Sequence, residues 1–221
     1  MNYQNVLNFP EKSFYFIDDF CVGENNIEAF KIIQSWPEWK SKNINIYGPS
    51  KSGKTFLLKI LSEKSKSNIY DAKSFNKNSL DQVIKQNIFI LDNIEFVNDE
   101  VLIQNLINDF QSKNKNICFT SSIISGSLPF EVKDLVSRLK SFVSVEIFNP
   151  DDSTFYKIFL KNLSDKQINL SSKEVEYILK KIERSFYSAF QFVKKLDELS
   201  LSYKKKINLK IINQALEVYL N

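Results

Sequence analysis

The sequence predicts an α/β domain built on a parallel sheet, followed by a small all-helical unit. Three observations carry this. Short apolar strands alternate with amphipathic helices as far as residue 149. The first of those strands runs straight into a glycine-bearing octet, Gly48 to Thr55. After Pro150 the strands stop and only helical patterns continue.

Taken in order, Met1 to Lys12 is polar, contains Pro10 and reads as an extended tail. From Asn25 to Trp36, an apolar face of Ile27, Phe30, Ile32 and Ile33 predicts a helix. Ile44 to Tyr47 is a short strand, and Thr55 to Ser65 is a helix with Phe56, Leu57, Ile60 and Leu61 on one side. The alternation repeats, with strands expected at 68–70, 87–91, 116–120 and 142–147 and helices at 79–86, 100–111 and 131–138. Such a pattern implies a parallel sheet covered on both faces. Beyond Asn149-Pro150, helices are expected at 153–163, 171–182, 185–201 and 208–220, and Ser171 with Glu174 has the spacing of a capping box. The expected divisions are the tail (1–12), the α/β domain (13–150) and the helical unit (151–221).

Composition narrows the function classes. A chain of 221 residues that is 43% hydrophobic, with 19 Phe, has ample material for a core. No run approaches the roughly eighteen apolar residues of a membrane span, and the N-terminus lacks a basic stretch followed by an apolar one. No membrane association is expected. Cys21 and Cys118 are too few for a disulfide framework, so a cytoplasmic setting is expected. The formal net charge of +4 permits contact with nucleic acid without demanding it. There is no histidine, which excludes the commonest metal ligand and general base, and with them a Ser-His-Asp arrangement or a zinc site. The abundance of Lys, Asn, Ile, Ser and Phe suggests AT-rich coding, under which Lys replaces Arg wherever plain positive charge suffices. The only arginines, Arg138 and Arg184, therefore stand out, as do the four glycines.

The octet Gly48-Pro49-Ser50-Lys51-Ser52-Gly53-Lys54-Thr55 satisfies G-x-x-x-x-G-K-[ST], with a strand before it and a helix after. In such a loop the glycines let backbone N–H groups turn onto phosphates. Lys54 then reaches the β- and γ-phosphates, Thr55 supplies a hydroxyl to Mg²⁺, and the helix N-terminus faces the anion. Ile88-Phe89-Ile90-Leu91-Asp92 is the expected second half, an apolar strand ending in an acid that holds the metal through water. The expected ligands are ADP or ATP with Mg²⁺. Asn93 follows Asp92 where many P-loop ATPases place a Glu that activates water, and an amide cannot accept that proton. Glu95, two positions on, reads either as a substitute or as a surface acid, and slow intrinsic hydrolysis is expected.

Several segments resemble one family. Asp19 to Asn26 (DFCVGENN) is similar to the adenine-side motif of the bacterial replication initiator DnaA and its relatives, which implies nucleotide contact by Val22 and Gly23. Leu91-Asp92-Asn93-Ile94-Glu95 looks like the second nucleotide motif of the Hda family of DnaA-related AAA+ regulators, and Ser137-Arg138-Leu139 resembles the segment carrying the arginine finger of this branch. The resemblance spans nearly the whole chain and implies an AAA+ three-layer domain with a helical lid. The chain stops at Asn221, at or near the end of the lid, with no DNA-reading domain after it, which points to Hda more than to DnaA. The resemblance also implies DnaA as a partner: Arg138 would be the catalytic arginine given in trans to ATP-bound DnaA, the alternative being a surface ion pair. Lys substitutes poorly there because its charge is not a planar fork.

Gln4-Asn5-Val6-Leu7-Asn8-Phe9 fits Q-x-x-L-x-F, by which bacterial proteins dock on the DNA polymerase III β sliding clamp, with Gln4 hydrogen-bonding and Leu7 and Phe9 filling an apolar pocket. Arg184 is a candidate for the nucleotide-sensing arginine of the lid, although the motif places Tyr187 at that position. Ser122 lies where a first sensor residue belongs. Self-association and indirect or non-specific DNA contact are further expected partnerships. Lys204 to Lys206 reads as a solvated turn or a phosphate contact, and Trp36 and Trp39 as packing at a helix end. The second function class is a DnaA-related ATPase that recruits or loads another factor at DNA. The third is a nucleotide-binding adaptor whose tail motif is accidental.

Overall fold

The computed structural model describes residues 20–203 and 207–220. Gln4, Leu7, Phe9 and Lys204 to Lys206 lie outside the described residues. Those that are described fall into two compact units, 20–148 and 149–220.

In the first unit the order is α1 (Ile27–Gln34), β1 (Asn43–Tyr47), α2 (Lys54–Ser65), β2 (Ile69–Asp71), α3 (Leu80–Val83), β3 (Ile88–Asp92), α4 (Glu100–Ser112), β4 (Asn116–Ser121), α5 (Lys133–Lys140) and β5 (Val143–Glu146). The strands form one sheet ordered β2-β3-β4-β1-β5, and every ladder is parallel. A parallel sheet needs crossovers long enough to hold helices, which is why strand and helix alternate along the chain. All five residues of β3 and all six of β4 are buried, as befits strands with a neighbour on either side. Phe89, Phe110, Phe119, Leu106 and Leu135 join in the core under α4 and α5. In α2, Leu57, Ile60 and Leu61 are buried as their spacing predicts. Phe56 is half-buried and packs on Phe20, with ring centroids 5.4 Å apart.

The helix expected from Asn25 to Trp36 spans only Ile27–Gln34, and two further helix starts differ from expectation for local reasons. The segment expected as one helix at 79–86 divides into a 3₁₀ turn (Lys77–Ser79) and the short α3, because the Asn76 side chain accepts the Asn78 N–H and tightens the entry. The helix expected from residue 131 begins at Lys133, because the Glu131 and Val132 N–H groups are held by the Glu100 carboxylate at 2.8–3.1 Å rather than joining a helical turn.

The second unit is helical: α6 (Asp152–Asp165), α7 (Ser172–Leu179), α8 (Phe186–Tyr203) and α9 (Leu209–Leu220). Phe155, Phe159, Phe192, Ile178 and Ile212 form its own core. Asp151 caps α6 by accepting the Thr154 N–H at 2.6 Å, and Ser171 with Glu174 closes a reciprocal capping box on α7. The α7 helix ends three residues earlier than its periodicity suggests, where the Lys181 N–H bonds back to Ile178 and tightens the turn. Among the described residues no helix is long and apolar enough to cross a membrane.

Candidate functional site

β1 delivers the chain into Gly48 at the C-terminal edge of the sheet, and the loop from there to Gly53 caps α2. Gly48 has φ +152°, and a Cβ there would lie 2.4 Å from the Ile147 carbonyl oxygen. Gly53 has φ +91°, and a Cβ there would lie 2.7 Å from the Phe20 ring. Both positions demand glycine, one for the sheet behind the loop and one for the ring resting on it. Phe20 also stacks on Phe30, with centroids 5.7 Å apart and planes 6° apart, so an aromatic group braces the loop from the N-terminal side.

Lys54 is 9% exposed, and its ammonium donates to the Gly48 and Pro49 carbonyls, each at 2.8 Å. Burial pulls its pKa below the usual lysine value, while the negative charges of Glu95 and Asp92 oppose that shift. Thr55 donates its hydroxyl to Asp92 Oδ2 at 2.6 Å. The other Asp92 oxygen accepts from the Thr120 hydroxyl at the end of β4, which in turn accepts the Asn93 N–H at 2.9 Å. Asp92 is 5% exposed, so a buried carboxylate is held by two hydroxyls from two different elements.

Lys54 and Thr55 line a cavity of about 600 Å³ together with Ser50, Lys51, Ser52, Gly53, Asn93, Glu95, Phe96 and Ser122. The Ser52 hydroxyl is buried in its wall without a hydrogen-bond partner. The loop, the ammonium and the helix start suit a polyphosphate. A hydroxyl and a single carboxylate side by side suit Mg²⁺, which keeps several waters and takes its remaining ligands from substrate phosphates. Among the described residues no group of three or more His, Cys, Asp or Glu side chains is arranged as a denser metal cage.

The predicted residues are only partly gathered in this cavity. Ser50 to Thr55 and Ser122 line it, while Gly48, Pro49 and Asp92 do not, and Asp92 is held to it by the Thr55 hydroxyl. Ser122 is exposed, however, and its contribution is a backbone N–H donated to Glu95 Oε1 at 2.9 Å. The strand-end hydroxyl that reaches Asp92 belongs to Thr120 rather than Ser122, because strand register decides which hydroxyl meets the acid. Glu95 is no surface acid: it is half-buried in the cavity wall.

Val22 and Gly23 do not line the cavity. Gly23 donates its N–H to Asn26 Oδ1 at 2.9 Å, and Asn26 donates to the Cys21 carbonyl at 2.9 Å, so the motif closes on itself as a turn into α1. Trp39 is packing, as expected, with its indole N–H on the Ile32 carbonyl at 2.6 Å.

Arg138 lies on α5, half-exposed, with its Nε 3.1 Å from Asp134 Oδ2 and an Nη1–H on Gln111 Oε1 at 3.2 Å. Arg184 belongs to the helical unit, where it pairs with Asp152 at 2.6 Å beside a cavity that Tyr156 and Glu176 also line. Tyr187 is 51% exposed on α8.

No family model matches the chain. Its sequence is 25% identical, over 241 aligned residues, to the chromosomal replication initiator protein DnaA of Buchnera aphidicola subsp. Cinara cedri (strain Cc), with 97% of this chain and 55% of that protein covered. The chain spans about half the length of the curated relatives it matches. Domain III of the Thermotoga maritima replication initiation protein DnaA has the same fold, with a TM-score of 0.79 at 18% identity over 96% of this chain and 100% of that one. AMPPCP-bound DnaA from Aquifex aeolicus follows with a TM-score of 0.66 at 19% identity, covering 93% of this chain and 81% of that chain. The chain is thus similar to DnaA in sequence, and its parallel sheet with trailing helices has the fold of domain III of the Thermotoga maritima protein.

Proposed function

We propose that the chain is a DnaA-related regulator of bacterial replication initiation, of the Hda type. It binds ADP or ATP with Mg²⁺ at residues 48–55, docks on the β sliding clamp through Gln4, Leu7 and Phe9, and presents Arg138 to ATP-bound DnaA. Hydrolysis in DnaA is thereby stimulated and the initiator inactivated. The observation that carries the nucleotide part is the cavity lined by Ser50 to Thr55, with the Asp92 carboxylate 2.6 Å from the Thr55 hydroxyl. The similarity to DnaA, and the AMPPCP held by the Aquifex DnaA, support adenine nucleotide as the ligand.

Placement of Arg138 on the outward part of α5 supports its role in trans. A guanidinium presented at a subunit boundary stabilises charge on a transferring phosphoryl group. Within this reading Arg184 is the nucleotide-sensing arginine, and the chain divides into the tail (1–12), the α/β domain (13–150) and the helical unit (151–221).

A second reading, a DnaA-related ATPase acting at DNA, draws on the same likeness to DnaA. The two are separated by measuring ATP turnover by the chain alone, then with ATP-loaded DnaA and clamp on DNA. Turnover that appears only in the mixture and disappears with Arg138→Ala supports the regulator. Strong solitary turnover unaffected by the clamp supports the second reading. Clamp binding that survives Gln4→Ala removes the tail from the proposal.

A further inference from the structure

Because every ladder is parallel, all five strands start at the sheet edge opposite the one that carries residues 48–55. Those starts are Asn43, Ile69, Ile88, Asn116 and Val143. Three residues before each of them stands a lysine: Lys40, Lys66, Lys85, Lys113 and Lys140. All five lysines are exposed. The strand order β2-β3-β4-β1-β5 sets them in a row, Lys66-Lys85-Lys113-Lys40-Lys140. Neighbouring strands lie about 4.8 Å apart, so the row extends over roughly 19 Å.

The loops beneath the row are tied to one another. The Lys115 ammonium donates to the Ile84 and Gln86 carbonyls at 2.9 and 2.7 Å, which stitches the loop before β4 to the loop before β3. The Ile117 N–H donates to the Lys42 carbonyl at 2.7 Å, which joins β4 to the loop before β1. Residues 35–42, 66–68, 84–87, 113–115 and 141–142, between helix ends and strand starts, contain a single acid, Glu38. Lys113 is paired with Asp109 at 2.6 Å, on the last turns of α4. A lysine at a helix C-terminus offsets the helix dipole, which accounts for Lys66, Lys113 and Lys140 one at a time. It does not account for Lys40, because α1 ends at Gln34.

We propose that this row is a docking surface for the phosphate backbone of duplex DNA, bound without regard to sequence. One DNA strand presents a phosphate about every 3.4 Å of helix axis, so the row faces about five of them. Ammonium groups act as point charges on phosphate oxygens, and the row has no guanidinium fork to read a base edge. Single-stranded DNA would call for exposed rings on which bases stack, whereas Trp39 and Phe142 are buried and Trp36 is half-buried. A protein partner would call for an apolar centre, and in these loops Ile84 is the one exposed large apolar side chain. The surface goes beyond the regulator reading and does not depend on the nucleotide site, which lies at the other edge of the sheet.

The test is fluorescence anisotropy of a short labelled duplex of arbitrary sequence, titrated with full-length protein over a range of salt concentrations. Five neutralised phosphates give an expected slope of about −4.5 in log affinity against log salt. The variant Lys40→Gln/Lys85→Gln/Lys140→Gln is expected to melt like the parent, to bind about 100-fold more weakly at about 0.1 M salt and to show a slope near −2. Lys157→Gln/Lys173→Gln/Lys210→Gln removes the same net charge from exposed positions of the helical unit and is expected to keep the parent's slope. A parent that does not bind the duplex overturns the proposal, as does a row variant with the parent's slope. So does a helical-unit variant that weakens as much as the row variant, since net charge alone would then suffice. Single-stranded DNA of the same length bound as tightly as the duplex overturns it as well.

Discussion

Thr55 and Asp92, 37 residues apart in sequence, are joined by a 2.6 Å hydrogen bond from hydroxyl to carboxylate. The bond ties the start of α2 to the end of β3, and the Thr120 hydroxyl on the other Asp92 oxygen ties in β4. The candidate metal-holding pair is thus also a joint between three elements of the sheet edge.

Asp92→Asn turns a two-sided acceptor into a group with only one acceptor oxygen, so one of the two hydroxyls loses its partner. The expected cost is about 1–3 kcal/mol in urea denaturation. Nucleotide titrations with and without Mg²⁺ are expected to converge for this variant, whereas the parent binds more tightly with the metal. Equal Mg²⁺ dependence in both would remove Asp92 from the metal site.

Gly48→Ala places a methyl group 2.4 Å from the Ile147 carbonyl oxygen, main-chain against main-chain, with no flexible side chain to yield. The strand edge or the loop must shift. A lower melting temperature, by an amount equivalent to roughly 1–3 kcal/mol, and loss of nucleotide binding are expected together. A variant that melts and binds like the parent would show that the loop geometry is wrong.

Arg138→Lys tests geometry against charge. Arg138 engages Asp134 and Gln111 through two different nitrogens of its fork, which an ammonium cannot reproduce. Because the pair is largely solvent-facing, stability is expected to change by less than about 0.5 kcal/mol. Stimulation of ATP hydrolysis in DnaA is expected to fall by about 1000-fold, to background. Retained stimulation with Lys would mean that charge alone suffices.

The helical unit carries its own pH signature. Hydrogen bonds from the Ser171 backbone and side chain hold the Glu174 carboxyl below its usual value of 4.5. A folded-state pKa below the unfolded one means the cap contributes fully above the unfolded value. That contribution is lost as pH falls through the lower, folded one. Urea midpoints measured across the acid range are therefore expected to decline less steeply in Glu174→Gln than in the parent. Ser171→Ala should cost about 1 kcal/mol at neutral pH. Parallel acid limbs in parent and Glu174→Gln would refute the cap's contribution.

How much of the molecule was legible in advance follows the range of the interactions involved. The loop from Gly48 to Thr55 is legible because its chemistry is local: eight consecutive residues dictate backbone turns, an ammonium and a hydroxyl. The capping box at Ser171 and Glu174 was readable for the same reason, since both partners lie within one helical turn. β3 is legible as a strand through its apolar run, Ile88 to Leu91. The end of α7 and the split at Asn76 were misplaced because single hydrogen bonds of modest strength set them.

By itself, then, the sequence determined the alternation of strands and helices, the loop that suits a polyphosphate and the acid that ends β3, because each is written in neighbouring residues. Only the tertiary structure decided that Thr120 meets Asp92, that Phe20 rests on Gly53 and that Glu95 turns inward to Ser122. Those pairings depend on parallel-strand register and on one left-handed residue, Asn93, and spacing along the chain carries no record of either.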